Sequence, residues 1–383
     1  MSLLSFEDTV VTEGGAVNAD NCPTVIPPTQ YNELVDTIHR LGHHFDEVMI
    51  RAGQQFPAMI ALTHSQAFSC MVRKATDRNV IIVPLGVPAR IRVLSKLLIQ
   101  YWGRENHIAT IQSPLDEVSW DAEAIPPMLK PIFSEEFEKE DFWRELGALD
   151  TSIETTDSQD AEVSELVHLA LVYMISHEFT HVLHGHFDLL NDAKTKKIDL
   201  TERELNRGLE TDADDGAASL SMYILDKDIR LTRLLDQPDK MKLGWLRLAY
   251  AVTMIYAISD SQRKFFAAYE EGSYNHPMVR CELFFSGVKR AMSTSTNEVK
   301  QSWLDVSTEG WKRCVLAFYD LNIDAMKGKY GLCPEGVPNS PLHALLYGAS
   351  QALSAGERVM LDKCKEATEL MYKIRKHLPL FNR

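Results

Sequence analysis

The segment "ISHEFTHVLHGH", residues 175–186, concentrates side chains that bind metals and move protons. It holds four histidines and one glutamate in a stretch that is otherwise largely apolar. A buried histidine or glutamate costs free energy unless it is paired or ligated. The segment therefore predicts a metal site, with a set of hydrogen-bonded core histidines as the alternative.

Two of these histidines have the spacing of a metal-binding pair. His177 and His181 are four residues apart, so a helix places both imidazoles on one face, where they can reach one ion. Glu178 lies beside the same site and can take a proton from a water bound there. The helical rise from His177 to His184 is about 10.5 Å. On a straight helix this is too far for both side chains to bind one ion. His186 falls roughly on the opposite side of that helix, so a third ligand must come from another element.

A second helix, predicted over residues 202–225, can supply this ligand. Thr201 followed by Glu204 is a capping box, which starts a helix at this point. Glu210 and Asp214 are four residues apart and share one face of the helix. Glu210 completes a His, His, Glu set that leaves one position for water, as in catalytic zinc sites. Asp214 can accept a hydrogen bond from the outer nitrogen of a ligand histidine.

The acidic run "ETDADD" around Glu210 also has a simpler interpretation, as a solvated helix face. Small residues surround it, including Ala213, Gly216 and Ala217. Small residues are what two closely packed helices need, so we interpret Glu210 as a metal ligand. We predict that Asp212 and Asp215 are exposed to solvent.

The remaining sequence predicts the elements that hold these residues. Two β-rich runs, "FPAMIALT" and "NVIIVPL", predict short strands. The apolar run 243–258 carries Arg247 and is shorter than a typical membrane span of about 20 residues, so it predicts a buried helix. Helical periodicity predicts further helices over residues 30–51, 89–102 and 162–188. The expected fold class is α+β and mainly α-helical, with a small β-sheet and extra C-terminal helices.

We divide the chain into four parts by composition and periodicity. They are a flexible arm over residues 1–28, an N-terminal α/β part over 29–160, a helical core with the metal site over 161–290, and a C-terminal helical region over 291–383.

Composition and charge exclude some classes of protein. The net charge of −14 over 383 residues argues against nucleic acid or an anionic membrane as a partner. The six cysteines show no C-x-x-C spacing, which indicates reduced thiols. The N-terminal residues have no basic region, so we expect no secretory signal there. We expect a cytoplasmic protein without membrane insertion and of undetermined oligomeric state.

The sequence "HEFTHVLHGH" followed by "ETDAD" resembles the gluzincin metallopeptidases. Their pattern is His-Glu-x-x-His on one helix and Glu-x-x-Ala-Asp on the next. The chain looks most like soluble relatives of the HtpX and CAAX-prenyl-protease type, and it also resembles the phage-exclusion peptidase Lit. The resemblance covers residues 162–290. It implies a zincin-like core, a bound Zn²⁺ ion and a protein or peptide substrate.

Two further features belong to this resemblance. The family type carries a histidine five positions after the second ligand, and His186 occupies that position. It also carries His-Pro followed by Arg, and "NHPMVR" holds His276 and Arg280, although the Arg comes sooner than in that pattern. We expect His276 to stabilise the oxyanion, with Tyr274 behind it. The alternative for His276 is an ordinary loop residue.

The expected activity is that of a zinc metallopeptidase. His177, His181 and Glu210 are expected to bind zinc, and Glu178 to act as the general base. The β-rich segment around 56–85 is expected to offer an edge strand to an extended substrate. Two alternatives stay open: a metal-stabilised binding protein without activity, and a zinc hydrolase that acts on a non-peptide amide bond.

Overall fold

The computed structural model describes residues 5–105, 130–133, 138–193, 198–227, 238–262, 275, 277–292, 297–307, 310 and 350–378, except residues 19, 24, 54–57 and 77. Within these ranges the chain is mostly helical and contains one three-stranded sheet. The predicted fold class, α+β and mainly α-helical, is confirmed.

The elements of the N-terminal half precede the helix that carries the histidines. They are α1 (Phe6–Thr12), α2 (Pro28–Arg51), β1 (Ala58–Thr63), β2 (Met71–Lys74), β3 (Asn79–Pro84), α3 (Gly86–Glu105), α4 (Lys130–Phe133) and α5 (Lys139–Ser152).

The elements that form and surround the predicted site follow. They are α6 (Asp157–Leu183), α7 (His186–Ala193), α8 (Glu202–Lys227), α9 (Pro238–Gln262), α10 (Pro277–Ala291) and, at the C-terminal end, α11 (Ser350–Arg375). Residues 297–307 are also helical.

The sheet has the strand order β1-β3-β2. β1 runs parallel to β3, whereas β2 runs antiparallel to it, with Val72 opposite Ile81. Two strands were predicted and β2 was missed, because it is four residues long and ends in the exposed Arg73 and Lys74. β2 is an edge strand of this sheet, and α6 packs against both β2 and β3.

Helix α6 is the central helix of the hydrophobic core. It begins with a capping box in which Thr156 accepts a hydrogen bond from the backbone of Gln159. It packs against α2, α3, α8 and α9. Among the described helices it alone is long and apolar enough to cross a membrane, but 89% of its apolar window is buried inside the protein. The apolar run 243–258 lies in α9 and is largely buried as predicted.

The histidine-bearing helix ends earlier than predicted. His184 is its C-cap, and Gly185 has a φ of +75°, a left-handed conformation that favours glycine. A new helix then begins at His186. The predictions of one helix through residue 188 and of His186 on its opposite side were therefore wrong. The turn at Gly185 brings the His186 ring back toward His181.

Helices α6 and α8 approach each other closely at a glycine. A Cβ atom on Gly216 would lie 2.3 Å from the Cγ2 atom of Thr180, so a larger residue does not fit there without movement. Ala213 and Ala217 are also fully buried. The prediction that small residues on the second helix allow close packing is confirmed.

The N-terminal segment contains regular structure. Residues Phe6–Thr12 form α1, and Ala16 forms a β-bridge with Thr63 at the end of β1. The flexibility that was predicted for residues 1–28 stays a prediction. One hydrophobic cluster extends from Val25 to Trp303 and so includes residues from all four predicted parts of the chain.

Candidate metal centre

The three predicted metal ligands lie together, on α6 and α8. The Nε2 atoms of His177 and His181 are 3.3 Å apart. The Glu210 carboxylate lies 3.2 Å from His177 Nε2 and 3.6 Å from His181 Nε2. One ligand atom from each residue falls within 4.8 Å of the other two, so this group could hold a metal ion.

The protonation of these side chains bears on metal binding, which requires neutral histidine and ionised carboxylate. Burial lowers the pKa of His181 to about 3. Burial favours the neutral acid of Glu210, but the histidines lower its pKa to about 2. Burial also disfavours the cation of His177, yet the carboxylates of Asp214 and Glu210 raise its pKa to about 10. The forms that bind metals are therefore favoured at His181 and Glu210, whereas the two carboxylates favour the cation of His177.

Glu178 lines the same cavity as the ligand group, as predicted. Burial raises the pKa of its carboxyl group to about 7, although the charge of His177 and a backbone hydrogen bond from Val72 oppose this shift. A general base is most effective when its pKa lies near the working pH. The position and acidity of Glu178 suit proton transfer.

Asp214 lies directly behind His177. Its Oδ1 atom is 2.9 Å from His177 Nδ1, and it accepts hydrogen bonds from the hydroxyls of Tyr173 at 3.0 Å and Tyr256 at 3.1 Å. The carboxylate is fully buried. The expected proximity of Asp214 to the outer nitrogen of His177 is thus present, and its role in orienting a ligand histidine stays a prediction.

Arg280, from α10, holds Asp214 from the other side. Its Nε donates to Asp214 Oδ2 at 2.8 Å, and a terminal nitrogen donates to Asp214 Oδ1 at 2.9 Å. That terminal nitrogen is also 3.5 Å from the Glu210 carboxylate and 3.4 Å from His177 Nε2. The guanidinium therefore lies beside the ligand group and brings a positive charge to it.

Two predicted residues, Tyr274 and His276, lie outside the described residues. Their neighbour Asn275 lines the cavity and donates a hydrogen bond from Nδ2 to the hydroxyl of Thr211 at 2.9 Å. This bond attaches Asn275 to the helix that carries Glu210.

A cavity of about 640 Å³ opens onto the ligand group. Residues 68–72, which include the start of β2, form one wall, and the apolar residues Met174, Phe187, Leu190 and Leu209 contribute to the lining. An edge strand beside a cavity can pair with an extended peptide through backbone hydrogen bonds.

A second group of buried polar residues lies behind His181. His184 Nδ1 is 2.5 Å and His186 Nε2 is 2.8 Å from Asp212 Oδ2. The prediction that Asp212 and Asp215 are exposed was wrong, since both are buried. The reason is long-range pairing, because Arg375 of α11 donates to both carboxylates.

Three residues of the site escaped prediction. Tyr173 lies four residues before His177, so helical spacing was a usable signal for it. Tyr256 reaches Asp214 from α9, inside an apolar run that shows no polar periodicity. Arg375 lies 163 residues after Asp212 and had no local signal.

Comparison of the chain with protein-family models, with curated proteins and with solved structures found no match. The chemistry of the site must therefore be inferred from its own residues.

Proposed function

We propose that this protein is a zinc-dependent metallopeptidase with a zincin-like catalytic core. The observation that carries the proposal is the group formed by His177, His181 and Glu210, with Glu178 beside it in the same cavity. Two imidazoles and one carboxylate are the donor set of catalytic zinc sites that keep one position open.

The donor set fits zinc better than the harder divalent cations. Calcium and magnesium prefer six or more oxygen ligands, whereas this group offers two nitrogens and one carboxylate. The outer nitrogen of His177 already faces Asp214, which is the arrangement that ligand histidines require. Zinc bound there would lower the pKa of a water molecule and polarise the scissile carbonyl.

The residues around the ligand group would carry out the proton transfers. Glu178 accepts the proton of the attacking water at its carboxylate and delivers it to the leaving amine. Arg280 lies where it can donate to the oxyanion, and Asp214 holds its guanidinium in place. His276 remains a second candidate for the oxyanion.

The substrate we propose is an extended protein or peptide segment. Residues 68–72 line the cavity at the edge of the sheet, and the apolar lining accepts uncharged side chains. We place the protein in the cytoplasm without membrane insertion and without nucleic acid as a partner. The four cysteines among the described residues are free thiols, which supports a reducing compartment.

The test of this function is the Glu178→Gln variant. Glutamine keeps the shape of the side chain but cannot accept a proton, so zinc content should stay normal while cleavage falls by roughly 10²–10⁴-fold. Parent and variant, each loaded with zinc, are incubated with an unfolded protein, and new termini are identified by mass spectrometry.

A matched control is Glu162→Gln, at the opposite end of α6, which should cleave like the parent. Removal of zinc with a chelator should abolish cleavage by the parent. Equal cleavage by parent and Glu178→Gln, or cleavage that persists without metal, would contradict the proposed mechanism.

A further inference from the structure

A chain of buried contacts begins at the outer nitrogen of His181. The Nε2 atom of His181 faces His177 and Glu210, so it is the atom available to a metal. Its Nδ1 atom lies 2.8 Å from Nδ1 of His186, the first residue of α7. In a neutral imidazole one nitrogen donates and the other accepts, so this contact selects a tautomer for both rings.

The contact with Asp212 determines which tautomer each of the two rings adopts. The Nε2 atom of His186 lies 2.8 Å from Asp212 Oδ2, and a carboxylate only accepts, so the His186 proton must be on Nε2. Nδ1 of His186 is then an acceptor, and Nδ1 of His181 must donate to it. The lone pair of His181 is thereby left on Nε2, on the side of the proposed metal.

Asp212 in turn depends on a cation from the C-terminal helix. It is fully buried, and a buried carboxylate is costly without a charged partner. Arg375 supplies the partner, since its Nε donates to Asp212 Oδ1 and a terminal nitrogen donates to Asp215 Oδ2 at 2.6 Å. His184 adds a third contact to Asp212.

The packing of α11 fixes where this guanidinium lies. Ile374 packs so closely on α8 that a Cβ atom on Gly208 would lie 2.0 Å from its Cδ1 atom. Ile374 and Leu378 are buried with Leu189 of α7 and with Leu209, which precedes the ligand Glu210. The end of α11 is thus held against the two helices that carry His186 and Asp212.

We propose that Arg375 is a positioning residue for the metal ligand His181, acting through Asp212 and His186. The inference rests on the proposed zinc site, and it adds to that site a residue of α11, near the C-terminal end of the chain. It also assigns His184, His186 and Asp212 to hydrogen bonding within the protein. Their contacts of 2.5–2.8 Å are hydrogen-bond distances, and the Arg375 charge opposes a second cation there.

The test measures the zinc dissociation constant of the full chain, by competition between the apoprotein and a fluorescent chelator. Loss of a partner behind a metal ligand costs about 10–100-fold in affinity. We expect His186→Phe to weaken zinc binding by a factor in that range, and Arg375→Met to weaken it about 10-fold. If Arg375 acts through His186, the double variant should bind zinc no more weakly than His186→Phe alone.

The control is Arg290→Met, because Arg290 pairs with Asp215 but is not bonded to Asp212 in the described contacts. It should bind zinc like the parent, and thermal unfolding of every variant reports on structural damage. If Arg375→Met does not fold, Arg375→Lys takes its place in the comparison of single and double variants. Its single ammonium group cannot bridge two carboxylates as the planar guanidinium does.

Several outcomes would overturn the inference. The inference fails if the Arg375 variant binds zinc as tightly as the parent. It also fails if the two losses of zinc affinity multiply in the double variant, or if Arg290→Met loses as much zinc affinity as the Arg375 variant. A second zinc ion that is lost in Asp212→Asn would also overturn it. A parent that binds no zinc would overturn this inference and the proposed function together, whereas a parent that binds zinc but cleaves nothing would contradict the peptidase alone.

Discussion

At the scale of single residues, Asp214 contacts side chains of the site that come from α6, α9 and α10. It contacts His177, accepts from Tyr173 and Tyr256, and pairs with Arg280. Burial favours its neutral acid, but the charge and hydrogen bonds of Arg280 hold the pKa of Asp214 well below its usual value. An ionised carboxylate therefore lies behind His177, a proposed metal ligand, at neutral pH.

We predict that Asp214→Asn weakens zinc binding or activity by about 10–100-fold, because asparagine loses the charge that orients both His177 and Arg280. Zinc titration of the apoprotein and the rate of peptide cleavage measure the effect. Asp36→Asn, at an exposed position on α2, is the control and should behave like the parent. An Asp214→Asn protein that matches the parent in both measurements would remove Asp214 from the site.

Glu210 carries a separate prediction, since it is the only proposed ligand from α8. Glu210→Ala removes an anionic ligand and should leave the purified protein with much less zinc and no measurable cleavage. Glu202→Ala changes an exposed acid on the same helix and should retain full zinc. Metal analysis of both variants measures this, and full zinc occupancy in Glu210→Ala would exclude Glu210 as a ligand.

A residue's role could be predicted from the sequence when its partners lay nearby in the chain, and not when they lay far away. The spacing of His177 and His181 is local, so it identified the pair from the sequence. Asp212 and Asp215 were placed in solvent because an acidic run looks the same whether water or arginine neutralises it. Their partner Arg375 lies more than 150 residues away, and only the fold brings it to them.

At the scale of elements, the site depends on how closely two helices approach. α6 supplies His177 and His181, α8 supplies Glu210, and the helices touch where Gly216 meets Thr180. The capping box at Thr201 was a sufficient signal for the start of α8. The break after α6 was missed, although Gly185 was its visible signal, because the apolar periodicity continues through the break.

Gly216→Ala should force α6 and α8 apart, because the new Cβ atom would lie 2.3 Å from the Cγ2 atom and 3.1 Å from the Cβ atom of Thr180. We predict a loss of about 1–3 kcal/mol in the free energy of unfolding, typical of overpacking, together with weaker zinc binding. Chemical denaturation and zinc titration measure the two effects.

The control for this prediction is Gly42→Ala in α2. A Cβ atom at Gly42 would meet nothing within 4 Å, so alanine should stabilise the helix by about 0.5–1 kcal/mol and leave zinc binding unchanged. If Gly216→Ala is as stable and binds zinc as tightly as Gly42→Ala, the close approach of the helices is not required for the site.

At the scale of the whole molecule, the candidate metal centre is built from distant parts of the chain. Residues 68–72, which include the start of β2, line the cavity. Helices α6 and α8 carry the proposed ligands, and Arg375 of α11 pairs with Asp212 behind them. The sequence predicted the helix-rich class and the central helices from local patterns. It could not predict the placement of α11, because the packing of Ile374 on Gly208 has no signature within either segment.

X-ray absorption at the zinc edge measures how zinc is coordinated in the full chain. It tests the proposed metal centre directly when it is recorded on the parent and on Glu210→Ala, each reconstituted with zinc. We predict one zinc ion bound by two imidazole nitrogens and one carboxylate in the parent, with a water in the remaining position. The carboxylate contribution should disappear in the variant. Four protein ligands would contradict an open catalytic site and indicate a zinc ion that stabilises a binding protein. A parent without bound zinc would contradict the metal centre itself.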